Sequence, residues 1–228
     1  MSGWRKGVRA VLHFIASVLI TSGVLLLIDA GLTVTWQEPV SAFFAQQDQS
    51  RLSNRLDKAA RNFQTRDLVP LAELAQGRAD FSQPARRWRE SLHTGDPVGR
   101  ISLPTLHRRY VVVQGTDTDS LRNGPGHYPA TPLPGEGGTI AIAGHRTTYG
   151  APFHSVDKLK PGQPIVLDMP YAVFTYRVER TQIVPPTALW ITRRVKGRER
   201  LVLSACHPLY SASKRIVVFA RLANARMK

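Results

Sequence analysis

Apolar and polar positions change rhythm along the chain. Val11 to Ile28, VLHFIASVLITSGVLLLI, runs for 18 residues without a formal charge, long enough to suggest a membrane-spanning helix. A cleaved leader is the competing reading, but its apolar core is usually about 7 to 15 residues and ends at a small-x-small site. Here the run passes through Asp29 into AGLTVTW, which favours an uncleaved anchor. Residues 37–97 are polar, rich in Gln, Arg, Ala and Asp, with Leu52, Leu56, Phe63 and Ala59 at helical spacing. That stripe is short for a coiled coil, so the segment reads as a solvated, partly helical spacer, with a partner-binding helix as the alternative.

After TGDP the pattern changes to short β-rich runs punctuated by Gly and Pro: GRISL, YVVVQ, TIAIAG, PIVLD, AVFTYRVERTQIV, RLVLSAC and RIVVFARL. Runs of this kind predict an all-β barrel or sandwich, and no helical run between them is long enough for βαβ units. The second and third runs are separated by 24 residues, GTDTDSLRNGPGHYPATPLPGEGG, a length more often functional than merely connecting. The organisation expected is an N-terminal stub over 1–10, a transmembrane anchor over 11–32, a stalk over 33–95 and a β domain over 96–228.

Charge sets the orientation. Arg5, Lys6 and Arg9 precede the apolar run and no basic residue follows it until Arg51, so the positive-inside rule keeps the N-terminus cytoplasmic and exports the rest. Residues 101–228 hold 18 Lys and Arg against 7 Asp and Glu, +11 of the +15 total. No zinc-finger, helix-turn-helix or aromatic RNA-binding signature accompanies this excess, so no nucleic-acid partner is expected. Attraction to an anionic envelope and a solvated basic face both remain open.

A single cysteine excludes an intrachain disulfide and a Cys-based zinc site. No tight His or carboxylate ligand spacing suggests another metal, and no cofactor is expected. Cys206 closes the run RLVLSAC before a Pro-containing loop. A lone Cys is most often a small buried hydrophobe, but at a strand end in an exported chain it is also a nucleophile candidate. It would need a base or cation to favour the thiolate and a donor to hold an oxyanion. His107, His127, His145, His154 and His207 are possible partners. His207 adjoins Cys206, yet successive strand side chains point to opposite faces; His145, ending TIAIAG with Gly144 permitting close approach, fits better. Arg215 opens the run after Cys206 and would return beside the thiol if the two strands pair. It stays protonated, so it would donate fixed hydrogen bonds rather than act as a base; an ordinary surface ion pair is the alternative.

Together, AIAGHRTTYGAPF, the strand ending in Cys206, Arg215 before an apolar strand and the upstream GPGHYPATPLPGEGG loop resemble the sortase family over about residues 96–222. The resemblance implies a closed eight-stranded β-barrel and a membrane-tethered cysteine transpeptidase of Gram-positive bacteria. Cys206 would be the nucleophile, His145 the acid–base group and Arg215 the oxyanion donor. The GHY and GHRTTYGAPF blocks look most like class E enzymes of actinobacteria, which act on LAxTG-type sorting signals, with class D close behind. The implied partners are proteins bearing sorting signals and an amine acceptor from a wall precursor or a pilin; Tyr128 and Ala205 are expected to contact substrate. One departure stands out. The family commonly shows a TLxTC-like strand, whereas this chain has Val202 and Ala205 in VLSAC, which puts signal preference in question. Two other functions stay open: an exported cysteine protease or hydrolase, and a non-catalytic envelope-binding module.

Overall fold

The computed structural model describes residues 2–35, 39–66, 80–195 and 197–227. The chain forms two compact units, residues 1–40 and 41–228. In the first, helix α1 (Ser2–Thr35) contains an apolar stretch, Val11–Gly31, of mean hydropathy 2.4, long and apolar enough to cross a membrane. Its large side chains are exposed: Leu27 by 75% and Phe14 by 71%.

Eight strands close the barrel of the second unit: β1 (Pro97–Leu103), β2 (Arg108–Gln114), β3 (Gly126–His127), β4 (Thr139–Gly144), β5 (Pro164–Asp168), β6 (Ala172–Val184), β7 (Arg200–His207) and β8 (Lys214–Met227). Around the barrel the order is β1-β2-β3-β4-β7-β8-β6-β5. The β2–β3 and β4–β7 pairs are parallel and the rest antiparallel. All seven β-rich runs are strands. The eighth, β3, has only two residues, too short to carry a period-2 signal. It lies inside the predicted 24-residue loop, as does helix α4 (Thr118–Asn123), where the Asp117 side chain accepts from Ser120 N and caps the helix.

Strand β7 explains why RLVLSAC looks apolar throughout. Leu201, Leu203 and Ala205 belong to the main core inside the barrel. Val202 lies on the opposite, outer face with Ala141, Val184, Ile191, Val217 and Phe219. Ile191, from the β6–β7 connection, joins this outer cluster, and neighbouring Trp190 stacks on Phe219 at 6.0 Å. A strand buried on both sides loses the alternation of a half-exposed one.

The spacer reading does not hold for the part of the stalk described here. Helix α2 (Pro39–Arg66) carries Leu52 and Leu56, 5% and 1% exposed, into the same core that fills the barrel, with Ala59 and Phe63 packed against it. The spacing 52, 56, 59, 63 puts these residues on one helix face, and the barrel is the partner of that face. Helix α3 (Ser82–Glu90) adds Ala85 and Trp88; Trp88 Nε1 donates to Val98 O at 2.7 Å, and Phe63 meets Trp88 edge-on at 5.3 Å. Arg100 pairs with Asp57 and Arg55 with Asp96 across the same junction. Residues 67–79 of the predicted stalk lie outside the described residues.

Candidate active site

The β4–β7 ladder is parallel and ends at Gly144↔Ala205. One residue further on each chain stand His145 and Cys206. On the other side of β7, Cys206 is directly opposite Arg215 of β8. In β7, Val202 and Cys206 share a parity; in β8, Phe219, Val217 and Arg215 do; and Ala141 gives the outer parity of β4 that leads to His145. His145, Cys206 and Arg215 thus occupy neighbouring positions at the end of three adjacent strands, on the outer face, with strand axes about 4.8 Å apart.

Close packing positions His145. A Cβ on Gly144 would meet the Phe153 ring at 2.5 Å, so any side chain there would displace either the fully buried Phe153 or the strand end. Phe153 N also donates to His145 O. The His145 ring is half-buried beside Tyr149, centroids 5.1 Å apart, and its Nε2 is shielded from solvent with no hydrogen-bond partner among the described residues. Burial holds its pKa below the ordinary 6.5, because a desolvated imidazolium is disfavoured. Burial thus favours the neutral ring, and Nε2 is its unpartnered nitrogen among the described residues.

Cys206 is half-buried and free. Arg215 Nη1 donates to Ala212 O and Lys214 O at 2.9 and 3.0 Å, which fastens the guanidinium to the β7–β8 turn. His207 points elsewhere, its Nδ1 3.3 Å from Arg146 Nη1. His127 is enclosed by Gln114, Thr131 and Pro132, and His154 Nδ1 donates to Arg146 O at 2.7 Å; His107 takes a left-handed backbone conformation in the β1–β2 turn. Tyr128 packs on the outer cluster, and its N–H donates to Ala141 O.

Ala205 departs from expectation. It is 3% exposed in the barrel core, between Gly144 and Ile216, on the face opposite Cys206. Strand alternation therefore removes it from the set that can line an outer groove. The hydroxyl that shares the parity of Cys206 is Ser204, two residues before it, and the strand register pairs it with Ala143 and Val217. The sequence reading also passed over Arg146, which is 3% exposed and contacts both chain segments of the site. Its burial has no periodic signature. Among the described residues no group of three or more His, Cys, Asp or Glu is placed to hold a metal ion.

Residues 101–223 match the family model for the Sortase domain. Sortase D of Bacillus subtilis is 32% identical over 131 residues, covering 56% of this chain and 65% of that protein. The chain spans less than two thirds of the length of the curated relatives it matches. The structure of sortase E from Streptomyces avermitilis aligns with a TM-score of 0.55 at 32% identity, over 59% of this chain and 93% of that one. Clostridium perfringens sortase C, solved with the C-terminal cell wall sorting motif, has a TM-score of 0.56 at 22% identity, over 75% and 89% of the two chains, a likeness of fold. With the family model covering more than half of the chain and the same closed barrel beneath it, this protein belongs to the sortase family.

Proposed function

We propose that this chain is a membrane-tethered cysteine transpeptidase with its barrel outside the cell. It would cleave an LAxTG- or LPxTG-like sorting signal and transfer the acyl group to an amine of a wall precursor or a pilin. The observation that carries this reading is the alignment of His145, Cys206 and Arg215 at neighbouring positions on β4, β7 and β8. The helix α1 stretch Val11–Gly31 supports the tether, and the basic residues before it support the orientation.

In this mechanism the neutral His145 ring takes the proton of the Cys206 thiol. The thiolate attacks the Thr carbonyl of the signal, and Arg215 donates to the resulting oxyanion. His145 then gives its proton to the leaving glycine amine as the C–N bond breaks, leaving a thioester on Cys206. The incoming amine attacks that thioester while His145 accepts its proton; the C–S bond breaks, and the departing Cys206 thiolate takes that proton back from His145, restoring thiol and neutral ring. Tyr128 forms part of the groove wall over the outer cluster. Because burial lowers the His145 pKa, the acid limb of kcat/KM falls below pH 6.5.

Incubating the full chain with LAxTG and LPxTG peptides, with and without a glycine-based amine, tests the proposal by mass spectrometry. A peptide–amine product that requires Cys206 is expected. Hydrolysis alone, unchanged by added amine, would replace the transpeptidase with a hydrolase. No cleavage by a protein whose Cys206 is intact would sink both.

A further inference from the structure

The backbone ladder that aligns β4 with β7 stops at Gly144↔Ala205, one residue short of the pair that the proposed reaction needs. Something else must hold His145 and Cys206 at a fixed separation. We infer that Arg146 is a positioning residue, whose guanidinium bolts the segment carrying His145 to the strand end carrying Cys206.

Its contacts reach both sides of the gap. Toward β7, Nη1 approaches Cys206 O at 3.5 Å and His207 Nδ1 at 3.3 Å. Toward the β4–β5 connection, Nε and Nη2 donate to His154 O at 3.2 and 3.0 Å, and Nη2 pairs with Asp157 Oδ1 at 3.0 Å. The Arg146 carbonyl accepts from His154 Nδ1, so backbone and side chain are both fixed by the same short segment. A single planar fork thus links Cys206, His207, His154 and Asp157, while the preceding residue presents the imidazole.

The burial of this group points to geometry rather than stability. The Arg146 side chain is 3% exposed, and the carboxylate it pairs with, Asp157, is 43% exposed. Desolvating a guanidinium against a half-exposed carboxylate is a poor way to stabilise a fold, since apolar packing of similar volume usually does as well or better. What the fork supplies is direction: several hydrogen bonds in one plane, which a lysine ammonium on a flexible stem does not reproduce. A displacement of about 1 Å between reacting groups lowers turnover by on the order of 100-fold, so a device that sets this spacing acts mainly on kcat.

The inference rests on the proposed acyl transfer, and two independent readouts separate it from that proposal. Arg146→Lys in the full chain is expected to lower kcat for peptide–amine transfer by about 10- to 100-fold, with KM within about twofold. Asp157→Asn, which leaves the arginine in place but loosens one of its ties, is expected to give a smaller loss in the same direction. The second readout needs no peptide. If His145 and Cys206 are held together, the rate of Cys206 alkylation by iodoacetamide carries an inflection from His145 titration below pH 6.5, absent in His145→Ala. Arg146→Lys should flatten this inflection while the thiol stays alkylatable, and Asp157→Asn, with wild-type thermal unfolding, should weaken it.

A wild-type profile without the inflection would overturn the role assigned to Arg146. So would lysine or asparagine variants with wild-type kcat and profile, or losses that only track the fraction of folded protein. A wild-type chain that shows the inflection but transfers no acyl group would keep the positioning role and remove the proposed reaction.

Discussion

Two histidines of the barrel unit, one buried and one half-buried, differ in what their ring nitrogens meet. His127 is 1% exposed, with Nδ1 2.8 Å from Gln114 Oε1 and Nε2 3.1 and 3.2 Å from Thr131 Oγ1 and Pro132 O. Burial pushes its pKa down to about 4. His145 is also held low by burial, yet its Nε2 has no partner among the described residues. His127 is a satisfied structural histidine that ties β3 to the 128–133 segment. The role proposed for His145 uses the ring nitrogen that has no hydrogen-bond partner among the described residues.

The sharpest way to break this contrast is to remove each ring. His145→Ala is expected to lower peptide–amine turnover by about 100- to 10,000-fold, the range for a lost general acid–base group. His127→Gln should change kcat far less and act on stability instead. Equal kinetic losses from the two variants would erase the distinction.

A second test asks whether the partner across β7 matches the role proposed for His145. If Arg215 holds the oxyanion with its planar fork, Arg215→Lys should lose on the order of 100- to 1000-fold in turnover while Cys206 remains alkylatable by iodoacetamide. Near-wild-type turnover would reduce the role of Arg215 to its charge.

The satisfied histidine makes its own prediction, with a sign fixed by linkage. Between pH 6.5 and about 4 the unfolded His127 binds a proton that the folded one refuses, so stability rises with pH across this window and is lost as pH falls through it. The interval corresponds to about 3 kcal/mol. Urea midpoints should fall as the pH drops from 6.5 to 4, and His127→Gln should remove most of that slope. An unchanged slope in the variant would assign the acid sensitivity to other groups.

The smallest effect concerns the residue next to His127. Tyr128 has left the interior and packs on the outer cluster, so Tyr128→Phe should alter the preference between LAxTG and LPxTG peptides by a few-fold, with little change in folding. Identical preferences would limit Tyr128 to packing through its ring.

The spacing of Leu52, Leu56, Ala59 and Phe63 announced a one-sided helix but not what covers it, since period 3.6 describes a face and not its partner. Similarly, RLVLSAC announced a buried strand ending in a thiol, and alternation alone placed His207 on the far side from Cys206. The same alternation sets Ser204 beside Cys206 and Ala205 opposite it, so the expectation for Ala205 rests on the family resemblance; the hydropathy pattern could not mark which face is inner, because both flanks of this strand are buried. The two-residue strand β3 was below the length at which any pattern exists.

The sequence by itself determined the local and the chemical. It gave the apolar run of α1, seven of the eight strands, the lone thiol, and an imidazole and a guanidinium at strand ends, because periodicity, turn residues and side-chain identity are properties of short stretches. Tertiary structure decided everything that depends on two distant stretches meeting. The parallel register Gly144↔Ala205 brings His145 to Cys206 across 60 residues, and the fork of Arg146 spans the same gap. Closure of the barrel turns Ala205 inward, and α2 finds its cover on the barrel core. Such pairings depend on long-range packing and on which polar atoms the closed barrel leaves unsatisfied, neither of which is written into any single run of residues.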